Sequence, residues 1–205
     1  MIVVVDYGMG NLGAVVNMLE FLGFEAEVSA QPETIVKASK LILPGVGAFD
    51  RAMLNLRSMQ LIPALEEAVL ERKTPVLGVC LGMQLLGRSS EEGHGETGLG
   101  WIAADTVRLD AAAHLGLKIP HVGWSPVQPT PGSLLFAQSG ETPRYYFVHS
   151  YHMRCDDPGD IAATCEYGER FCCAVSNGHI HGVQFHPEKS HRYGMALLKS
   201  FVEWR

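Results

Sequence analysis

Residues 74–84 read Thr-Pro-Val-Leu-Gly-Val-Cys-Leu-Gly-Met-Gln. The apolar run before Cys80 predicts a short buried strand, and the residues after it predict the start of a helix. Gly78 and Gly82 flank the turn, where they remove side chains that would collide. This pattern is typical of a nucleophile elbow, in which a strained strand-to-helix turn holds a reactive side chain beyond the sheet. We therefore predict an α/β fold organised around Cys80.

Cys80 is the candidate nucleophile. At a helix N-terminus, unpaired N–H groups and the helix dipole favour an anion, so a thiol there should ionise readily. The N–H of Leu81 would point to the same place and could stabilise an oxyanion formed when the sulfur attacks a carbonyl. The alternative is that Cys80 is a small buried hydrophobic residue, the usual role of a lone cysteine on an apolar strand.

A second stretch, Gly-Val-Gln-Phe-His-Pro-Glu at residues 182–188, favours a catalytic role for Cys80 over a merely structural one. Its alternating apolar positions predict a strand that stops at the proline, with His186 and Glu188 just beyond its end. In an extended chain, residues two apart lie on one face, about 6–7 Å from each other. Glu188 could then hold the far ring nitrogen of His186 while the near one faces the thiol. Nucleophile, base and orienting carboxylate form a recognisable catalytic set.

Composition limits the classes of function. A chain of 205 residues can bury one core, so we predict a single domain over residues 1–205. A formal charge of −6 without a basic run argues against nucleic acid. No signal peptide and no run of membrane-spanning length is visible, which argues against a membrane protein. The five cysteines form no even framework, which indicates a reducing cytoplasm.

The order of elements predicts the fold class. Strands at residues 2–5, 25–28 and 41–43 are separated by helical lengths, which predicts a mostly parallel central sheet covered by helices. From Trp101 onward, short strands and turns predict an added antiparallel layer in the C-terminal half. Asn-Gly at residues 177–178 is a strong hairpin turn. The glycine-rich turn after the first strand lacks the third glycine and the lysine of phosphate-binding loops, so we do not predict a phosphate site there.

The turn at residues 44–47, Pro-Gly-Val-Gly, allows two interpretations. Proline and glycine are common in ordinary loops. The same turn could instead offer a second backbone N–H to the oxyanion.

Nine histidines suggest a metal hypothesis, with His179-x-His181 and His149-x-x-His152 as the obvious pairs. No cysteine or carboxylate stands at ligand spacing beside either pair, so we predict no metal and no cofactor.

The elbow, the stretch Leu-Pro-Gly-Val-Gly-Ala-Phe-Asp at 43–50 and the stretch at 182–190 together resemble the class I, or triad, glutamine amidotransferases. Two further stretches, Pro-His-Val-Gly-Trp at 120–124 and Tyr-Phe-Val-His-Ser-Tyr at 146–151, are similar within that class to glutaminase subunits of imidazole glycerol phosphate synthase. The resemblance covers nearly the whole chain. Ser125 stands where such subunits usually have asparagine.

The resemblance implies that Cys80 attacks the side-chain amide of L-glutamine, His186 shuttles protons and Glu188 orients His186. A glutamyl thioester would form, and water would release glutamate. The implied oxyanion donors are the Leu81 N–H and the backbone of Val46 and Gly47. The implied contacts of the amino-acid end of glutamine are Gly47, Gln84, Glu92, His149, Ser150 and Tyr151. By charge alone, Glu92 suits the substrate ammonium.

The resemblance also implies a partner. Ammonia would pass directly to a separate (β/α)8 cyclase subunit, which makes imidazole glycerol phosphate and aminoimidazole carboxamide ribotide in L-histidine biosynthesis. The two chains would form a heterodimer. Trp124 and Lys189 are our candidates for the docking face because they are poor core residues; alternatively, Trp124 fastens its loop to the core.

Three rival hypotheses remain. The chain could be the glutaminase subunit of a different synthase, such as anthranilate synthase or a surface-polysaccharide enzyme. It could be a non-catalytic regulatory subunit with an inert cysteine. It could also be a simple cysteine hydrolase that needs no partner. If the chain is the glutaminase subunit of imidazole glycerol phosphate synthase, we expect the isolated chain to hydrolyse glutamine slowly. Glycines leave the orientation of the turn at residues 44–47 unfixed, and docking of the partner would set it.

Overall fold

The computed structural model describes residues 1–110, 114–139 and 142–204. Within these ranges, twelve strands form one sheet. In chain order the strands are β1 Ile2–Val5, β2 Ala26–Ser29, β3 Lys40–Gly45, β4 Val76–Cys80, β5 Ser89–Ser90, β6 Ala104–Arg108, β7 His121–Pro129, β8 Arg144–His149, β9 Tyr151–Cys155, β10 Ile161–Tyr167, β11 Glu169–Asn177 and β12 Ile180–Val183.

The α-helices of the described ranges are α1 Leu12–Phe21, α2 Pro32–Val36, α3 Phe49–Ser58, α4 Ile62–Glu66, α5 Leu81–Leu85 and α6 His191–Glu203. A π-helical turn at Glu67–Glu71 continues α4. None of these helices is long and apolar enough to cross a membrane.

The first half of the sheet is parallel. Its order is β2-β1-β3-β4-β12, and each neighbouring pair runs in the same direction. Beyond β12, the strands β11, β10, β7 and β8 pair antiparallel. The predicted parallel core with an added antiparallel layer is confirmed. The Asn-Gly hairpin is also confirmed, because Asn177 pairs with Ile180 and Gly178 has φ 58°.

Apolar side chains bury both faces of the parallel half. Along β1, Val3 and Val5 belong to one apolar cluster, and Val4 belongs to the other. Helices α3 and α4 pack on the first face through residues such as Phe49, and α1 and α6 pack on the second through residues such as Phe201. A strand that is buried on both faces needs apolar residues at successive positions, and this explains the continuous apolar runs in the central strands.

Several boundaries differ from the sequence predictions. The third strand is longer than residues 41–43, because β3 stays paired with β4 as far as Gly45. The stretch 145–151 is two strands, β8 and β9, with Ser150 between them. The helical region that leads to Arg72 is broken after α3, where Gln60 adopts φ 56°. A left-handed residue cannot continue a right-handed helix, so the chain turns there.

Candidate active site

Cys80 stands where β4 ends and α5 begins. Its backbone has φ 55° and ψ −111°, a conformation that costs a residue other than glycine about 1–3 kcal/mol. A Cβ at Gly78 would lie 2.6 Å from the Gly82 carbonyl oxygen, and a Cβ at Gly82 would collide with the Leu43 carbonyl. The two glycines therefore let α5 lie directly on the sheet. The predicted strained turn is confirmed.

Besides the His186 ring, the sulfur of Cys80 has two polar neighbours. Gln184 Nε2 donates to Sγ at 3.7 Å, and Sγ lies 3.9 Å from the Val148 carbonyl oxygen. Cys80 is only 7% exposed, and Gln184 is fully buried. An amide donor aimed at the sulfur stabilises negative charge on it.

The chain after β12 brings a histidine and a carboxylate together. His186 Nδ1 and Glu188 Oε1 are 2.8 Å apart, and their side chains are 4% and 3% exposed. The expectation of an extended segment here was wrong, because β12 ends at Val183 and residues 187–189 form one 3₁₀ turn. The rigid φ of Pro187 suits the first position of such a turn, which folds Glu188 back onto the ring.

Hydrogen bonds fasten this turn to β8. The His186 N–H donates to the Tyr146 carbonyl at 2.9 Å, and the Tyr146 N–H donates to Ser190 Oγ at 3.0 Å. Ser190 Oγ in turn donates to the His186 carbonyl at 2.6 Å. The imidazole is therefore held by its backbone as well as by its carboxylate partner.

The charge state of His186 follows from its neighbours. Burial alone would lower the pKa of His186, but hydrogen bonds and charge interactions with the Cys80 sulfur and the Glu188 carboxylate raise it to about 10. The ring therefore carries a proton at neutral pH. A cationic imidazole beside a sulfur is the arrangement that favours a thiolate nucleophile.

A cavity of about 290 Å³ opens above Cys80 and is also lined by His186. It brings together all the residues predicted as oxyanion donors or glutamine contacts. These are Val46, Gly47, Leu81, Gln84, Glu92, His149, Ser150 and Tyr151. Lys189 lines the same cavity, whereas Trp124 does not.

Two of these side chains are fixed by their neighbours. Glu92 Oε2 accepts the N–H of Phe49 at 2.9 Å, so the start of α3 holds the carboxylate at the cavity. Gln84 Nε2 donates to Gln184 Oε1 at 3.0 Å and lies 3.3 Å from the Tyr151 carbonyl oxygen. Both polar groups are thus held at the cavity by contacts within the protein.

A family model for class-I glutamine amidotransferases matches residues 3–204 of the chain. The chain belongs to this family. An imidazole glycerol phosphate synthase subunit HisH 2 from Pseudomonas aeruginosa is 50% identical over 203 residues, which cover 99% of each chain. The subunit of the same name from Methanococcus maripaludis is 49% identical, again over 99% of each chain.

Solved structures show the same fold at much lower identity. The PurLQS structure from Thermotoga maritima matches with a TM-score of 0.77 and 19% identity, covering 99% of this chain and 97% of that one. The glutaminase domain of Trypanosoma brucei CTPS matches with a TM-score of 0.66 and 15% identity, covering 98% and 93%. At this identity the likeness shows the amidotransferase fold alone.

The sequence interpretation missed two residues of this amidotransferase site. Gln184 contacts the sulfur, and His121 Nδ1 lies 3.0 Å from His149 Nε2. Both lie inside the quoted stretches 182–188 and 120–124. A polar residue between apolar neighbours in a predicted buried strand is unusual, and this was the available signal for Gln184.

The two predicted docking residues belong to one surface cluster. Trp124 lies within strand β7, paired with Tyr146, and not in a loop, and its side chain is 39% exposed and not part of the core. It stacks on His191 with ring centroids 5.6 Å apart and meets the Tyr146 ring at 6.3 Å. The Lys189 ammonium lies 5.9 Å from the centre of the same Tyr146 ring. We call these four residues the aromatic rim.

Among the described residues, no group of three or more histidine, cysteine, aspartate or glutamate side chains is arranged to hold a metal ion.

Proposed function

We propose that the chain, as one domain over residues 1–205, is the glutaminase subunit of an imidazole glycerol phosphate synthase. Cys80, His186 and Glu188 would be its catalytic triad. One observation carries the proposal: the sulfur and the carboxylate-held imidazole share a cavity with every candidate glutamine contact. The names of the relatives that match the full length of the chain support the choice of synthase.

The first half-reaction acylates the enzyme. The Cys80 thiolate attacks the side-chain carbonyl carbon of glutamine, and the carbonyl electron pair moves to oxygen. The proton on His186 goes to the amide nitrogen, the carbon–nitrogen bond breaks and ammonia leaves. A glutamyl thioester remains on the sulfur. The pKa of about 10 for His186 supports this starting state, because the ring must hold a proton to give to the leaving group.

The second half-reaction releases glutamate. Neutral His186 takes a proton from water, and the resulting hydroxide attacks the thioester carbon. The carbon–sulfur bond breaks, so the thiolate and the protonated imidazole are restored. Glu188 stays bonded to Nδ1 throughout and stabilises the positive ring.

The oxyanion of both steps would be held by backbone N–H groups. Leu81 follows the nucleophile directly, as in other elbows. The residues after β3 are the second source, because Gly45 pairs with Cys80 and Val46 then lines the cavity. Gly47, with φ 107°, gives this turn a conformation that side chains rarely allow.

The remaining contacts would recognise the amino-acid end of glutamine. The Glu92 carboxylate supplies the negative charge for the substrate ammonium, and residues 149–151 line the same cavity. Neither a metal nor a cofactor is needed for this chemistry, since the nucleophile, the proton carrier and the oxyanion donors all come from the chain.

The proposed partner is a (β/α)8 cyclase subunit in a heterodimer. Ammonia is mostly protonated in water at neutral pH, so a neighbouring active site must receive it directly. The aromatic rim lies beside the cavity, and the nearby Val122 and Val148 are 55% and 37% exposed. Exposed apolar and aromatic side chains around a site are typical of an interface core. We also propose a cytoplasmic location, since all five cysteines are free thiols.

The experiment is a glutamate-release assay on the chain alone and after co-purification with its partner, with and without the partner's ligand. Cys80→Ala should abolish glutamate release. Cys155→Ala, at a half-buried cysteine outside the cavity, is the matched control and should retain it.

Three results would contradict parts of the proposal. Full glutamate release by Cys80→Ala would show that Cys80 is not the nucleophile and that the proposed triad is wrong. Full-speed hydrolysis by the isolated chain would favour a simple hydrolase. Co-purification with a different synthase would keep the chemistry and change the ammonia acceptor.

A further inference from the structure

A line of hydrogen bonds leads to the wall of the cavity through half-buried Ser125 and the buried His121 and His149. Ser125 Oγ lies 2.8 Å from His121 Nε2, and His121 Nδ1 lies 3.0 Å from His149 Nε2. His149 Nδ1 then lies 2.8 Å from the Tyr151 carbonyl oxygen. We call this series the histidine chain. It connects strand β7 to the residues that line the glutamine cavity.

The carbonyl at the end fixes the direction of every bond in the chain. A carbonyl oxygen only accepts, so His149 Nδ1 carries the hydrogen. In a neutral His149, Nε2 is then an acceptor, and His121 must donate from Nδ1. Neutral His121 has a free electron pair on Nε2, and the Ser125 hydroxyl donates to it. One set of tautomers therefore satisfies the whole chain.

The surroundings keep both rings neutral and still. His121 lies between the rings of Phe147 and Tyr167, at centroid distances of 4.8 Å and 3.9 Å. Burial lowers the pKa of His121 to about 4. Burial is also the main reason that the pKa of His149 falls to about 3. The hydrogen bond to the Tyr151 carbonyl opposes this fall, and charge interactions with His121, His152 and His186 add to it.

We propose that Ser125 and His121 are positioning residues, which hold His149 in the tautomer that donates to the Tyr151 carbonyl and so fix the wall of the glutamine site. This inference rests on the proposed glutaminase function. Both ring nitrogens of His149 are used inside the protein. Its contribution to glutamine binding is therefore the shape of the wall and the backbone of residues 149–151, not a ring hydrogen bond to the substrate.

The Tyr151 carbonyl joins the histidine chain to the nucleophile. Gln84 Nε2 also approaches this oxygen at 3.3 Å and donates to Gln184 Oε1, and Gln184 donates to the Cys80 sulfur. Reversal of the His149 tautomer would turn an electron pair toward the Tyr151 oxygen. The two acceptors would repel each other, and the wall of the cavity would move.

The first test separates KM from kcat in glutamate release. Ser125→Ala removes the hydroxyl, and His121→Phe keeps the stacked ring but leaves His149 Nε2 without its donor. We expect the KM for glutamine to rise on the order of tenfold in His121→Phe and less in Ser125→Ala, with a smaller change in kcat. Ser125→Thr keeps a hydroxyl, and His121→Asn places an amide N–H near Nδ1, so both should recover most of the loss.

The matched control is Ser176→Ala. Ser176 Oγ on β11 lies 2.8 Å from His181 Nδ1 on β12, a serine–histidine bond of equal length outside the cavity. Its loss should leave the KM for glutamine unchanged. An equal rise in KM in this variant would mean that the Ser125→Ala effect reports general destabilisation, which would overturn the positioning role.

The second test reads the tautomer and needs no turnover. Nitrogen NMR of the protein with ¹⁵N-labelled histidine should show His149 protonated on Nδ1 in the parent and in Ser125→Thr, and a changed or mixed state in Ser125→Ala. A parent His149 protonated on Nε2 would overturn the inference even if Cys80-dependent glutaminase activity is intact. Absence of that activity, with the expected tautomer present, would instead count against the proposed function.

Discussion

Gly45 pairs directly with Cys80 in the parallel register between β3 and β4. The turn that follows β3 therefore begins beside the candidate nucleophile Cys80, although the two positions are 35 apart in the sequence. Close packing maintains this pairing: a Cβ at Gly45 would lie 2.9 Å from both the Gly82 nitrogen and the Leu81 Cβ and would collide with the Tyr7 hydroxyl.

Gly45→Ala should therefore damage both stability and activity. The added methyl group has no room, so we expect the free energy of unfolding to fall by about 1–3 kcal/mol and glutamate release to fall with it. Gly13→Ala is the control, because a Cβ at that position in α1 meets nothing within 4 Å. Urea unfolding should show Gly13→Ala unchanged or stabilised by up to about 1 kcal/mol. Equal behaviour of the two variants would contradict the packing argument.

Glu188→Gln should change the pH dependence of stability. The pKa of His186 is raised from 6.5 to about 10 in the folded protein, so the ring binds its proton more tightly than in the unfolded chain. The resulting stabilisation is fully present below pH 6.5 and is lost as the pH rises through about 10. Without the carboxylate charge, the folded pKa falls and the loss comes at lower pH.

Urea unfolding at a series of pH values between these limits, in parent and variant, measures this difference. Titratable groups that both proteins share contribute equally to the two curves, so their effect cancels in the difference between parent and variant. Superimposable curves would show that Glu188 does not hold the proton on His186. We also expect slower glutamate release in Glu188→Gln, because the amide cannot stabilise the positive ring as a carboxylate does.

Gln184→Leu should lower kcat. The change keeps the approximate size of a fully buried side chain but removes the donor to the Cys80 sulfur and the acceptor for Gln84. We expect kcat to fall on the order of tenfold, as for the loss of one hydrogen bond to a charged group. Gln138→Leu, at an exposed glutamine bonded to Glu203, should retain the parent rate in the same assay.

Trp124→Ala should weaken partner binding. An exposed tryptophan supported by stacking on His191 is the kind of residue that dominates interfaces, so we expect the Kd for the cyclase to rise by about tenfold or more. Titration calorimetry measures this change. Phe21→Ala, at an aromatic residue that is 77% exposed on α1, is the matched control. An unchanged Kd for Trp124→Ala would show that the docking surface lies outside the aromatic rim.

Much of the architecture could be predicted from local pattern. The apolar runs of β1 and β4 indicate strands buried on both faces, and the spacing of the elements indicates parallel pairing. The glycines around Cys80 indicate the tight turn, which the structure has at φ 55°. These features depend on neighbours within a few residues, so the sequence carries them directly.

The local geometry around His186 could not be predicted in the same way. Alternating apolar residues indicated an extended chain, but hydrogen bonds from β8 and Ser190 end the strand early and support the turn that returns Glu188 to the ring. A tertiary contact decided between two conformations that the sequence alone permits.

The sequence by itself determined the elbow, the candidate nucleophile with its candidate partners, and the mostly parallel sheet that presents them. Only the tertiary structure decided that Gln184 reaches the sulfur, and that His121 and Ser125 support His149 from the neighbouring strand. The physical reason is that strand order and register bring these side chains together. Each contact joins residues whose local sequences contain no information about the other.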